Sequence, residues 1–427
     1  MELKPGYKMT DIGIIPQSWE VQAIGDIASV KGGKRLPLGK SLVSRTTLHP
    51  YIRVTDMQDG GVSTEDIKYV PDDVFPAIKN YRIYVSDIFI SVAGTLGIVG
   101  TIPLELDGSN LTENADKITD ISCDRDYLLH NLQSSRIQEI IESEKTVGAQ
   151  PKLALTRIER FLVGVPPTIA EQRSIAEALN DAAELIANLA RLVAKMRCLR
   201  QAVAQELLSG KRHLPGFTEK WQVKSLGELF SFSGGFTASR DQLSSKGICY
   251  LHYGDIHNAK KTFIDVRSEY QDIPKLDIPL SNVPSASLLD DGDIVFVDAS
   301  EDVEGASRHV VVVNPDGIPF ISGLHTIVAK SRADELEHRY RRYCFQTSTI
   351  ADQFKFFVVG TKVSGISKTN IAKITLPIPS ISEQSAIADI LSNMDAEIAA
   401  IDAQLAKTRE LKQGMMQALL TGKTRLL

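Results

Sequence analysis

The chain has 427 residues, with 48 Lys and Arg against 53 Asp and Glu, a formal net charge of −5, and 43% hydrophobic residues. That length and balance fit a protein of two or three globular domains, and the acidic total argues against a nonspecific, basic coat for nucleic acid. Cys123, Cys198, Cys249 and Cys344 stand singly and far apart, which excludes a disulfide framework or a zinc knuckle. No run of 18 apolar residues is present to span a bilayer, and the first nineteen residues lack the apolar core and cleavage site of a signal peptide. A cytoplasmic protein is expected.

Reading along the chain, the first informative segment is Trp19-Glu-Val21 followed by Gly25-Asp26-Ile27. It returns 202 positions later as Trp221-Gln-Val223 and Gly227-Glu228-Leu229, and the frame holds to Gly32-Gly33 and Gly234-Gly235. Tyr51 and Asp56 are matched by Tyr250 and Asp255, and Asp87-Ile-Phe-Ile by Asp293-Ile-Val-Phe. Farther on the register is 212 positions: Pro167-Thr-Ile-Ala-Glu171-Gln172 against Pro379-Ser-Ile-Ser-Glu383-Gln384, running ungapped to Gly210-Lys211 and Gly422-Lys423. So ordered a set of matches marks a tandem duplication.

Each copy has two parts, giving an α+β chain with boundaries at 1–166, 167–212, 213–378 and 379–427. The first part mixes short strands, such as Ile88–Val92, Ile294–Val297 and His309–Val313, with Gly, Pro and Asp turns. The second is a single long helix. Thr168-x-x-Glu171 and Ser380-x-x-Glu383 have the spacing of capping boxes, and Gly210 and Gly422 provide C-terminal stops.

Apolar residues in the helices step by three or four. Ile175, Leu179, Ile186, Leu189 and Val193, continuing through Leu199, form one row; Ile387, Leu391, Ile398, Ile401 and Leu405, continuing through Leu411, form the other. This spacing is the seam of a coiled coil, and the simplest assembly pairs the two helices antiparallel with an internal pseudo-two-fold. The C-terminal Gly422-Lys423-Thr-Arg-Leu426 stops where the first copy continues through Leu214-Pro215-Gly216-Phe217 to Trp221, while Pro5-Gly6-Tyr7 leads to Trp19. The order of segments is therefore circular, and the two ends are expected to lie together.

These motifs resemble the specificity subunit of type I restriction–modification enzymes over essentially the whole chain: the Gly-Tyr…Ile-Gly-x-Ile-Pro-x-x-Trp-x-Val opening, the Pro-Pro-x-x-x-Glu-Gln-x-x-Ile helix starts, and the Leu-Leu-Ser-Gly-Lys-x-x-Leu-Pro-Gly-Phe helix ends. The resemblance implies two target-recognition domains, each reading one half of a bipartite double-stranded DNA site. It also implies two docked methyltransferase subunits and, in a full complex, motor-nuclease subunits. The chain itself then has no catalysis and no cofactor; S-adenosylmethionine belongs to the methyltransferase, and ATP and magnesium to the motor-nuclease.

DNA reading needs cations for phosphates and hydrogen-bonding side chains for base edges. Residues 31–53 hold Lys31, Lys34, Arg35, Lys40, Arg45 and Arg53 and no acid; the second copy has Arg240, Lys246 and His252. The pre-helix loops offer Gln150 and Lys152 in one copy and Lys362 and Ser364 in the other, with residue types suited to adenine or guanine. Arg341 lies in a basic, aromatic helix that is either a DNA face or ordinary solvation. Other chemistry finds little support. His252, Asp255 and His257 have counterparts Arg53, Asp56 and Gln58, so no metal site is expected, and in a strand His252 and His257 face opposite ways. Gly94-Thr-Leu-Gly97 is a turn, and Glu410-Leu-Lys412 is interior to a helix. The alternatives to a recognition subunit are a single-chain DNA methyltransferase or nuclease, the specificity subunit of another multi-subunit DNA-modifying defence system, and a coiled-coil scaffold.

Overall fold

The computed structural model describes residues 5–143, 152–258, 261–300, 308–360 and 364–426. Two compact units are present, residues 1–190 with 403–427, and residues 191–402. The division falls inside both long helices. Each unit thus holds one mixed domain and half of each helix.

In the first unit, strand Glu20–Ala23 pairs antiparallel with Leu162–Val165, so the domain closes on itself just ahead of its helix. Between them lies a four-stranded antiparallel sheet in the order Val99–Gly100, Ile88–Ser91, Ala115–Thr119, Ser29–Gly32. Ile88 and Ile90 pack with Leu128, Leu132, Ile137 and Ile141 of two following helices, whereas Phe89 packs with Ile52, Ile83 and Leu111. Burial on both faces is why this strand reads as an unbroken apolar run. A second four-stranded sheet orders Lys68–Tyr69, Pro50–Ile52, Ser109–Leu111 and Arg82–Ile83, with its central pair parallel.

The second unit repeats the plan. Gln222–Ser225 pairs with Thr375–Ile378 ahead of the distal helix. Its larger sheet has five strands, Phe230–Gly234, Thr326–Ser331, Ile294–Val297, His309–Val313 and Phe263–Asp265. Ile294 and Phe296 face one core, Val295 and Val297 the other. Its smaller sheet again contains one parallel pair, here at the edge, Ile248–Leu251 with Phe320–Ser322.

The helices run Ile169–Leu208 and Ile381–Leu419, ending at Gly210 and Gly422 in left-handed conformation (φ 71° and 67°). They pair antiparallel in each unit. Ile175 and Leu179 at one start meet Leu419 and Leu420 at the other's end, and Ala204 and Leu208 meet Ile387, Ala388 and Leu391. Arg197 bonds to Asp402 and Arg200 to Asp395 at 2.9 Å across the pair. Leu189, Val193 and Leu405 are buried, and Ile186, Ile398 and Ile401 half-buried.

Two seam expectations fail. Leu199 and Leu411 point to solvent. Beyond Val193 the buried row continues at Ala204, an eleven-residue step that keeps a straighter helix facing its partner. Near Leu411 the half-buried Lys412 takes the inner position instead, and burial lowers its ammonium pKa.

The capping boxes also work differently from their spacing. Thr168 Oγ1 accepts from the Glu171 amide at 3.2 Å, but the Glu171 carboxylate accepts from Arg425 Nε and Nη2, both at 2.8 Å. Glu383, at the equivalent place, accepts from the Leu214 amide (2.9 Å) and Trp221 Nε1 (3.0 Å), with His213 Nδ1 at 3.1 Å. These glutamates fasten the segment that follows the other helix. The neighbouring glutamines fasten the domain body: Gln172 accepts from the Asp124 amide and Gln384 from the Glu337 amide, each at 2.8 Å. The chain ends do meet, with the Tyr7 hydroxyl donating to the Gly422 carbonyl at 3.0 Å.

Candidate nucleic-acid interface

In each domain a doubled glycine lets one segment press against a turn of the smaller sheet. A Cβ on Gly33 would stand 2.0 Å from the Thr112 carbonyl oxygen, and one on Gly235 1.7 Å from that of Gly323; only glycine fits. Beyond the glycine the backbone is held in the same way in both copies. The Lys34 amide donates to the Leu111 carbonyl (2.8 Å) and the Phe236 amide to that of Ser322 (2.7 Å). The Tyr51 hydroxyl donates to the Lys34 carbonyl (3.0 Å) and the Tyr250 hydroxyl to that of Phe236 (2.9 Å). Asp56 accepts from the Arg53 amide (2.8 Å) and Asp255 from that of His252 (3.2 Å). The repeated Tyr and Asp are thus the frame of this site.

What the frame presents differs. In the first domain Arg35 is 78% exposed, and its Nε donates to Glu113 Oε1 at 2.7 Å. Glu113 is steadied by the Thr112 hydroxyl at 3.2 Å, with the Tyr51 hydroxyl at 3.5 Å. Burial pushes the Glu113 carboxyl up, but the Arg35 bond and its own backbone amide outweigh this and hold it below its ordinary value. Burial also pushes the Tyr51 phenol up to about 12. The structurally matched positions in the second domain are Phe236, Thr237 and Leu324, which carry no charge. There the turn offers His325, in the left-handed region (φ 59°) with Nδ1 3.4 Å from Asp298 Oδ1. Tyr253 packs edge-on to it at 5.6 Å and against His252 at 4.4 Å.

The acid-free stretch 31–53 is not free of acids in space. Lys31 pairs with Asp120 (2.9 Å) and Lys40 with Asp73 (2.7 Å). Lys34 stands 5.5 Å over the Tyr81 ring, and Arg45 is exposed. Exposed pairs of this kind are weakened by solvent and salt screening, so phosphate can displace the acid. Arg53 is different. Its guanidinium clamps Asp56 (2.6 Å) and the Asp66 carbonyl (2.8 Å), a use internal to the domain.

Lys152 is exposed beside Ala93. Its charge opposes the effect of burial on Asp116, whose carboxyl is nonetheless pushed up to about 6. Arg240 and Lys246 are exposed, Arg240 4.0 Å from Asp255. Burial, then the Arg240 charge, lowers the His252 pKa. Gln150 and Lys362 lie outside the described residues. Ser364 is 7% exposed in a strand paired with Ala299–Ser300, which withdraws it from a groove.

Arg341 is corrected outright. It is 2% exposed and donates to the carbonyls of Gly292 (2.7 Å) and Leu336 (3.0 Å). It sits where the first domain has the buried Leu128, on a helix capped by Glu337 as the first is capped by Asp124, so its chemistry is structural. His252 precedes, and His257 lies within, a short helix, Tyr253–Asn258, not a strand. Among the described residues no cluster of His, Cys, Asp or Glu could hold a metal ion.

Glu113, Asp298, His325 and Tyr253 went unnoticed in the sequence. Carrying the repeat register from the doubled glycines through to the turns at 112–114 and 323–325 is the signal that finds the turn residues.

The family model for the type I restriction modification DNA specificity domain matches twice, at residues 16–194 and 218–408. The type I restriction enzyme MjaVIII specificity subunit of Methanocaldococcus jannaschii is 21% identical, over 96% of this chain and 94% of its own length. The StySPI specificity subunit of Salmonella potsdam is 24% identical, over 96% and 89%. The crystal structure of a type I restriction–modification S subunit from M. genitalium shares the fold, with TM-score 0.56 and 16% identity over 98% of this chain and 99% of that one.

Proposed function

The chain belongs to the type I restriction–modification DNA specificity family, and from that premise we propose that each mixed domain reads one half of a bipartite double-stranded DNA site through the surface around its doubled glycine. The observation that carries this reading is the matched frame with unmatched side chains. Two domains that hold their backbones by the same bonds, yet present Arg35 and Glu113 in one and Thr237 and Leu324 in the other, are suited to two different half-sites. Base readout requires such variation on a constant scaffold.

The chain is the recognition subunit, and methylation and cleavage lie with its partners. Methyltransferase subunits, bringing S-adenosylmethionine, are proposed to dock on the long helices, and a motor-nuclease bringing ATP and magnesium to join them. Leu185, Leu192 and Leu199 support helix docking: they are exposed and spaced by seven residues along the central helix, the stripe that a partner helix covers. No helix of the described residues is long and apolar enough to cross a membrane, and the cytoplasm, where the DNA is, is the proposed location.

Methylome sequencing of cells carrying the chain with its cognate methyltransferase tests the reading: a bipartite motif with an unread spacer is expected. Turnover by the chain alone with S-adenosylmethionine would overturn it in favour of a single-chain methyltransferase. The helices are further proposed to set the spacer. Adding four residues after Ala194 and four after Ala406 lengthens each helix by about 6 Å, close to two base pairs. A spacer longer by one or two base pairs with unchanged half-sites is expected; an unchanged spacer at full activity would refute that role.

A further inference from the structure

Arg35 is an exposed cation whose orientation is fixed by a carboxylate that is itself fixed. Glu113 uses one oxygen for Arg35 Nε (2.7 Å) and has the other within reach of the Thr112 and Tyr51 hydroxyls (3.2 and 3.5 Å). The backbone beneath is held from both sides, the Lys34 amide on the Leu111 carbonyl and the Lys34 carbonyl on the Tyr51 hydroxyl. Only Nε is engaged. The terminal Nη1 and Nη2 hydrogens, the edge that forms a two-pronged donor, meet no partner among the described residues, on a side chain that is 78% exposed.

A guanidinium meant only for phosphate has no need of such support. A flexible lysine or an unbuttressed arginine gives the same charge, as Lys34 and Arg45 do nearby. Two parallel N–H donors in a fixed plane match one base-edge pattern in the major groove, the O6 and N7 acceptors of guanine. The geometry points to Arg35 as the reader of a guanine in the first half-site, with Glu113 as its positioning residue. This rests on the DNA-reading function proposed above. The second domain has Thr237 and Leu324 at the matched places, so the contact made by Arg35 belongs to the first half-site.

The test uses the assembled chain and methyltransferase, with the methylated motif mapped in cells for the unaltered protein, Arg35→Lys, Arg35→Ala and Glu113→Gln. The purified complexes are then competed with duplexes carrying each base pair in turn at every half-site position. Arg35→Lys and Arg35→Ala should relax one position of the first half-site, a G·C pair in the unaltered motif. Discrimination there should fall about ten- to a hundredfold, with the second half-site intact. Arg35→Lys keeps the charge, so its salt dependence should stay unchanged. Glu113→Gln should lower discrimination at that same position by a smaller factor.

Retention of the second half-site and of methyltransferase assembly reports that each variant is folded. Should Arg35→Ala also lose these, Arg35→Lys decides. A motif unchanged in Arg35→Lys, with binding weakened evenly across sequences, would make Arg35 a phosphate contact and overturn the inference. So would relaxation at an A·T pair, or an unaltered motif and affinity in Arg35→Ala. Absence of any bipartite motif in the unaltered complex would instead overturn the DNA-reading function itself, and the inference with it.

Discussion

The two recognition domains differ least where they are held together and most where they face outward. Gly33 and Gly235 press against matching turns, and Tyr51 and Tyr250, like Asp56 and Asp255, make matching bonds. The charged Arg35–Glu113 pair faces, across the duplication, an apolar leucine and a threonine. The same separation appears inside the core, where Leu128 and Arg341 fill matched helix positions and both are buried. A scaffold can therefore be repeated while its chemistry is rewritten, provided each new polar group finds its own partners. Arg341 is tolerated because Gly292 and Leu336 supply carbonyl acceptors.

That comparison breaks first if the core positions are exchanged. Leu128→Arg buries a cation among Ile137, Ile141 and Leu132 with no acceptor arranged for it, and should cost several kcal/mol and unfold the first domain. Arg341→Ala should cost the second domain about 3 kcal/mol by leaving two buried carbonyls without donors, without changing the DNA motif. Thermal unfolding and the methylated motif of each variant check both. An Arg341→Ala protein of full stability that lost one base of its motif would restore Arg341 to the DNA surface.

A milder pair of changes tests whether the frames are equivalent. Gly33→Ala and Gly235→Ala each drive a methyl into a backbone carbonyl, and relief requires a shift costing about 1–3 kcal/mol. Each should impair recognition of its own half-site and spare the other, seen as half-site-specific loss in competition binding. Equal damage to both half-sites from one substitution would mean that the domains do not read independently.

The smallest effect distinguishes the first domain by pH. Asp116 has its carboxyl raised from 3.8 to about 6 by burial, and Ile327 stands at its place in the second domain. A group with a raised folded pKa binds more protons folded than unfolded, so stability falls as pH climbs from about 4 to 6 and stays lowered above that. Asp116→Asn removes the effect. The variant should match the unaltered protein below pH 4 and exceed it by about 1 kcal/mol above pH 6, measured by denaturant unfolding of the first domain at both pH values. The shift alone gives ~3 kcal/mol at about 1.36 kcal/mol per unit, which solvent screening reduces. A variant less stable at neutral pH would show that the ionised carboxylate, beside Lys152, is favourable.

The duplication, the α+β plan, the two long helices and the meeting of the chain ends were all legible in residue order. They depend on periodicity and on motif spacing, which local chemistry dictates: apolar side chains at every third or fourth place must be buried, and glycine must stand where a Cβ has no room. The candidate interface was legible only as a neighbourhood. Residues 31–53 looked uniformly basic, yet Asp120, Glu113 and Asp73 arrive from 89, 78 and 33 residues away to meet its cations. Arg341 looked like surface because nothing local reveals that Gly292, from another strand turn, offers it a carbonyl. The capping-box glutamates looked self-contained, but their carboxylates belong to Arg425 and to Leu214 and Trp221. Hydrophobic burial is encoded by period and so survives in one dimension. Hydrogen-bond and charge partners are selected by distance in space, and only the tertiary structure brings together Arg35, Glu113 and Tyr51.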